Sequence, residues 1–247
     1  MYENSAPKER PLNQKASTKP NEDSGKDPIT NVASFLQKIS ENPKDGTVLY
    51  RGHGDRRWLL TPSVGRTKKF KDNEKTIFLD FKRQYYLYAD DRPSTDIDTL
   101  FLAQHFELPT RLLDWSYNPL VSLWFACQEE NVDGCVYTKT IIRGEDTLKE
   151  GHQLDFDIFN ENDNIKQDYL FLVPDYTVRR YFNQKGMFIW FRNPSAFYND
   201  LDDEPLIIKK EYKRGILKEL STMGITKAFL LPSLENLCND IKYKYSK

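Results

Sequence analysis

Regularly spaced apolar positions begin at Ile29. From there Val32, Phe35, Leu36 and Ile39 recur at the three-to-four interval of a helix, which Asn42-Pro43-Lys44-Asp45-Gly46 brings to an end. Thr47-Val48-Leu49-Tyr50 then reads as a strand running into Arg51-Gly52-His53-Gly54, and Trp58 to Ser63 as a short extended piece entering a turn. Ile77, Phe78, Phe81, Tyr85 and Tyr88 share one face of a helix over about 73–88. Thr95-Asp96-Ile97-Asp98 has the form of a capping box, in which the Thr95 hydroxyl accepts from the Asp98 amide and the Asp98 carboxylate reaches back; the helix it opens ends near Phe106. Asn118-Pro119 starts another helix, with an N-cap followed by proline at the first helical position. Behind it lies a stripe of Leu120, Leu123, Trp124 and Cys127.

Downstream the period shortens. Asp133 to Thr138 has the turn and alternation of a strand, and further strands are read at 169–173, 187–191 and 206–208. Between them the polar stretch from Gly144 to Gln167 predicts a short helix or two within long connections. A helix over 213–223 and a last short one over 233–241 close the chain. A helical N-terminal part followed by several short strands predicts an α+β fold with a mixed or antiparallel sheet, in one compact domain over residues 29–247; strand order stays open. Residues 1–28 offer almost nothing to bury, so ordering them would cost backbone entropy without apolar return, and they are expected to be a mobile tail.

Composition narrows the partners. Lys plus Arg number 36 against 37 Asp plus Glu, so no global field holds a polyanion, and the run Arg66 to Lys71 reads as a solvated loop or helix start. The 15 Phe, 14 Tyr and 4 Trp supply a largely aromatic core. Three widely spaced cysteines suggest neither a disulfide framework nor a thiolate metal pair. With no signal-peptide pattern and no membrane-length apolar run, the expectation is a cytoplasmic protein without a membrane partner. No phosphate-loop, zinc-protease, paired-cysteine, nucleophile-elbow or calcium-loop motif is present in the sequence, nor a nuclease signature around Asp114.

The candidate chemistry gathers at a few polar positions. Arg51 sits at a strand end, where Gly52 and Gly54 permit tight turns and close approach of a ligand. His53 lies in that glycine-bounded loop and is the histidine with the better exposure. His105, beside Phe101 and Phe106, has a titration range suited to acid–base work, with hydrogen-bonded packing as its plainer role. Arg111 and Asp114, three apart, suit an internal ion pair or a clamp at a helix entry.

Several of these residues fall in one pattern. Tyr50-Arg51-Gly52, Trp58-x-Leu60-x-Pro62-Ser63-x-x-Arg66, the run Leu102-x-Gln104-His105-Phe106 through Leu108-Pro109-Thr110-Arg111-Leu112-Leu113-Asp114-Trp115-Ser116-x-Asn118-Pro119, and Asp133-Gly134 resemble the FRG domain in order and spacing. Gln184-x-Gly186-x-Phe188 and Leu220-x-x-x-Gly224-Ile225 extend the resemblance over about 30–240. The family occurs in bacterial, phage-associated and defence-associated proteins and carries no settled activity. An early strand-end arginine, a middle motif leading into a helix and a later Gln-x-Gly-x-Phe also resemble the three-part layout of NAD-dependent ADP-ribosyltransferases.

That likeness implies NAD as cofactor, Arg51 on its phosphate or ribose, Gly52 near nicotinamide, and Arg111 and His53 in the binding set. Gln184 stands where an acid is usual and can orient a ribose hydroxyl without supplying charge, so Asp114 becomes the candidate source of negative charge; Arg51, Asp114, Gln184 and His105 are the catalytic candidates. The implied ligand is a nucleotide-containing small molecule, with an unspecified protein or nucleic acid as acceptor. The alternative is a noncatalytic module for a nucleotide or nucleic-acid end, using Arg51, Arg66 and Arg111 with Trp58 and Trp115 for stacking. On either nucleotide reading Arg51, Arg111, Asp114 and Gln184 should line one concavity, whereas separate burial would favour a role in the scaffold.

Overall fold

The structure, a computed structural model, describes residues 28–41, 44–88, 93–142, 148–150, 157–161, 165–174 and 179–245. The expected N-terminal tail and most of the 144–167 connection lie outside the described residues.

Local signals set most helix starts. Helix α1 (Val32–Ser40) opens on Asn31, whose side chain accepts from the Ser34 amide at 2.8 Å while Ser34 Oγ accepts from the Asn31 amide at 3.1 Å. Strand β1 (Thr47–His53) runs three residues beyond the expected end and takes in Arg51-Gly52-His53. Trp58 to Ser63 is not a strand; it leads into a 3₁₀ turn (Ser63–Arg66) and helix α2 (Lys68–Asp72), so the basic run is partly helical. Helix α3 (Glu74–Gln84) ends in a second 3₁₀ turn (Tyr85–Leu87). Thr95 caps helix α4 (Asp96–His105) through the Asp98 amide, and Asp98 answers by accepting from the Thr95 hydroxyl at 2.7 Å. Strand β2 (Leu112–Ser116) leads to helix α5 (Pro119–Ala126), capped by Asn118 as its sequence predicts.

Strands β3 (Gly134–Ile141), β4 (Leu148–Glu150) and β5 (Tyr169–Val173) follow, then helix α6 (Arg179–Gln184) and strands β6 (Gly186–Phe191) and β7 (Leu206–Ile208). Helices α7 (Lys210–Thr222), α8 (Lys227–Leu230) and α9 (Leu234–Tyr245) complete the chain. The sheet has the order β4-β5-β6-β2-β1-β3-β7 and is antiparallel except for the parallel β4–β5 edge, a mixed sheet in a compact α+β domain. Strand β2, near its centre, went unread in the sequence. Its five residues include a charged one and, buried on both faces, show no apolar–polar alternation.

Three clusters fill the two faces. Leu49, Leu113, Trp115, Met187 and Ile189 meet the connecting residues Leu60 and Tyr198 on one face. On the other, α1, α5, α7 and α8 cover β3 and β7, while α3, α4 and α6 cover β2, β5 and β6. Gly52 permits this: a Cβ there would lie 1.8 Å from the Ser122 carbonyl oxygen, so α5 rests directly on the β1 backbone. β1 shares seven ladder pairs with β3 and β2 shares five with β6, yet β1 and β2 share one, Tyr50 with Ser116. The sheet is therefore split along the β1–β2 line.

Candidate functional site

Arg51 occupies that split. Its Nη1 donates to the Asp114 carbonyl, in place of the ladder bonds the two strands do not make, and lies 3.8 Å from Asp114 Oδ2. Its Nε lies 3.0 Å from His53 Nε2. A guanidinium can only donate, so His53 Nε2 is the acceptor and the ring proton sits on Nδ1, which donates to the Trp58 carbonyl at 3.3 Å. Burial, then the charges of Arg51 and Arg66, hold His53 well below the ordinary histidine range. It is therefore neutral near pH 7. The exposed loop expected around His53 is instead the packed end of β1, with the Tyr137 and Trp58 rings 5.2 and 6.1 Å away. Burial lowers Arg51 to about 10, opposed by Asp114, and leaves it charged at neutral pH.

Asp114 is the open group of the cluster, its side chain 42% exposed. Oδ2 accepts from Gln104 Nε2 at 2.7 Å, and Gln104 Oε1 accepts from the Thr110 hydroxyl at 2.6 Å, which in turn accepts from the Leu112 amide at 3.1 Å. Each member has its donor or acceptor sense set by its neighbour, so the carboxylate is held in one orientation. Among the described residues, Asp114 Oδ1 and Arg51 Nη2 take no hydrogen bond. Arg66 spends Nε on the Thr61 carbonyl at 3.1 Å, and its charge acts on Arg51 and His53 while Asp114 opposes. Two guanidinium groups thus face one carboxylate, a local excess of positive charge beside the half-exposed Trp58. Behind the cluster, the fully buried Lys213 of α7 donates to the carbonyls of Gly54 at 2.7 Å and Glu129 at 2.8 Å, anchoring the exit from β1.

Arg111 and Gln184 are elsewhere. The expected Arg111–Asp114 pair does not form: Arg111 makes a forked, buried ion pair with Glu74 of α3 at 2.7 and 2.5 Å and also donates to the Arg192 carbonyl at 3.3 Å. Three residues apart along extended chain, Arg111 and Asp114 point to opposite faces, so spacing suited to a helix misleads here. Gln184 is buried at the end of α6, with Nε2 donating to the Leu230 carbonyl at 2.9 Å and its own carbonyl accepting from Ser116 Oγ at 2.5 Å. His105, half-buried at the end of α4, packs on Phe106 and Tyr181 and its carbonyl accepts from Arg180 at 2.7 Å. Trp115 is buried in the core, and the Cβ space of Gly52 belongs to α5. Gln104 and Thr110, not singled out as site residues, join Asp114; their signal was their place in the long middle motif, on either side of the turn at 106–109.

A separate cavity of about 540 Å³ opens between α3 and that turn, lined by Ile77, Phe81, Tyr85, Tyr88, Phe106 and Leu108 among others. Among the described residues, no cluster of His, Cys, Asp and Glu is arranged to hold a metal ion, and no helix is long and apolar enough to cross a membrane.

No curated protein and no solved structure matches the chain. Residues 46–134, the stretch from β1 to the start of β3 that carries Arg51, His53, Arg66, Gln104, Thr110 and Asp114, match the model of the FRG domain.

Proposed function

We propose that the Arg51–Asp114 cluster binds a nucleotide-containing small molecule, with NAD as the ligand and transfer of its ADP-ribosyl group as the reaction. The observation that carries this reading is the exposed, oriented Asp114 carboxylate beside two guanidinium groups. Asp114 Oδ1 can accept from a ribose hydroxyl, and Arg51 Nη2 and the terminal nitrogens of Arg66 can donate to phosphate. As nicotinamide leaves as a neutral base, positive charge develops on the ribose carbon, and a fixed carboxylate stabilises it. The four-residue concavity expected from the sequence does not form, because Arg111 is buried with Glu74 and Gln184 against Leu230; the reading rests on Arg51, Arg66 and Asp114, with Asp114 rather than Gln184 supplying that charge. The acceptor is a protein or nucleic acid group, and the setting is a cytoplasmic, defence-related one.

A noncatalytic binding module is the second reading. It is favoured by the burial of Gln184 against Leu230, away from Asp114, and by the state of His53, whose Nε2 is taken by Arg51 and so does not serve as a base. Calorimetric titration with NAD, ADP-ribose and inorganic phosphate, run beside incubation with labelled NAD and intact-mass analysis, separates the two. Binding with nicotinamide release and a mass gain supports transfer, and binding alone supports the module. Failure of all three ligands to bind overturns both.

A further inference from the structure

Helix α9 is attached the wrong way round for a helix that serves only its own domain. A surface helix ordinarily turns its apolar stripe inward and its polar face to water. In α9 the residues that meet the domain are polar: Asn236 donates to the Leu231 carbonyl at 2.7 Å, and Asp240 accepts from the Ala228 amide at 2.9 Å. These two lie four apart on one face and are the least exposed residues of α9. A second face, adjoining the first at Leu237, carries Leu234, Leu237, Ile241 and Tyr245, at helical spacing, with exposures of 77%, 47%, 49% and 77%. Cys238, also exposed, lies within the same stripe. Four large apolar side chains in register on one helix, with none of the helix buried, form a contiguous docking surface and not scattered exposure.

We propose that this stripe pairs with the same stripe of a second copy of the chain, the two α9 helices running antiparallel about a two-fold axis near Asn239. A two-fold interface must be complementary to itself, and α9 meets that condition in shape and charge. Antiparallel pairing sets Leu237 against Ile241 of the second copy and Leu234 against its Tyr245, in both directions. Glu235 and Lys242, seven residues apart, share one edge of the stripe. Reversal of the second helix brings each Glu235 to the other copy's Lys242, because residues on the same edge face one another only when the two helices run antiparallel. An anionic lipid surface is a poorer match, because Glu235 and Asp240 offset Lys242 and Lys244 within the helix. A helix of this length spans only about 18 Å, so the association is weak and concentration-dependent.

Sedimentation equilibrium of the whole chain over a micromolar concentration series tests this. The expected result is a rise from 29.1 kDa toward twice that mass. Leu237→Glu with Ile241→Glu should hold the chain at one copy with an unchanged near-ultraviolet dichroism spectrum. Glu235→Lys alone should weaken association at least several-fold, and Glu235→Lys with Lys242→Glu should restore it. A single copy at every concentration, a dimer that survives the Leu237/Ile241 change, or failure of the charge swap to restore association would each overturn the proposal. So would binding of single copies to phosphatidylserine-containing vesicles through Leu237 and Ile241.

Discussion

Arg51 and His53, two positions apart on β1 and so on the same face, are joined by a hydrogen bond of 3.0 Å in which the imidazole can only accept. Proton state and architecture are therefore linked: a proton on His53 Nε2 would meet the Arg51 donor head-on and free the guanidinium that spans the β1–β2 split.

The consequence for stability has a definite sign. The folded His53 titrates well below 6.5, while the unfolded one titrates near that value, so between the two the unfolded chain binds a proton that the folded chain does not. Folding is favoured in full above pH 6.5 and loses up to about 1.4 kcal/mol per pH unit from this group as pH falls. Urea unfolding at pH 7.5 and 5.5 should show that loss. His53→Gln, which keeps an acceptor for Arg51, should flatten it; an equal slope in the variant would assign the effect to other groups.

Breaking the Arg111–Glu74 pair should be far costlier than removing any exposed ion pair. Both side chains are under a tenth exposed, so Arg111→Ala or Glu74→Ala strands a buried charge and should cost about 3–5 kcal/mol. Arg111→Met with Glu74→Leu should recover much of that loss. Thermal unfolding of the three variants measures it, and purely additive effects would contradict the pairing.

Two glycines should respond in opposite directions. Gly52→Ala drives a methyl into the Ser122 carbonyl and the Ala126 amide, both backbone, and should destabilise by about 3 kcal/mol or more. Gly215→Ala, in the middle of α7 with nothing within 4 Å, should stabilise by about 1 kcal/mol. Chemical denaturation of both proteins gives the comparison.

Asp114→Asn keeps the size of the side chain and removes its charge. On the transferase reading it should lower nicotinamide release about 100-fold or more, while the melting temperature changes little because the carboxylate is 42% exposed. Gln104→Ala should act in the same direction more weakly, by freeing the carboxylate to rotate. Quantifying nicotinamide from labelled NAD distinguishes these variants; an active Asp114→Asn protein would remove Asp114 from the chemistry.

Local signals in the chain were enough to specify α1, α5, the start of α4 and strands such as β5, because each rests on contacts within a few residues: the Asn31, Asn118 and Thr95 caps and the runs of apolar side chains. They also marked Arg51 and Asp114 as chemically notable. Only the tertiary structure decided that β2 is a central strand, that Arg111 belongs to Glu74 and Gln184 to Leu230, and that Gln104, Thr110 and Arg66 gather around Asp114. Those partners lie as few as six and as many as 48 positions apart. Their meeting depends on how the sheet splits and how helices cover it, and a hydrogen bond between distant segments leaves no periodic trace in the order of residues along the chain.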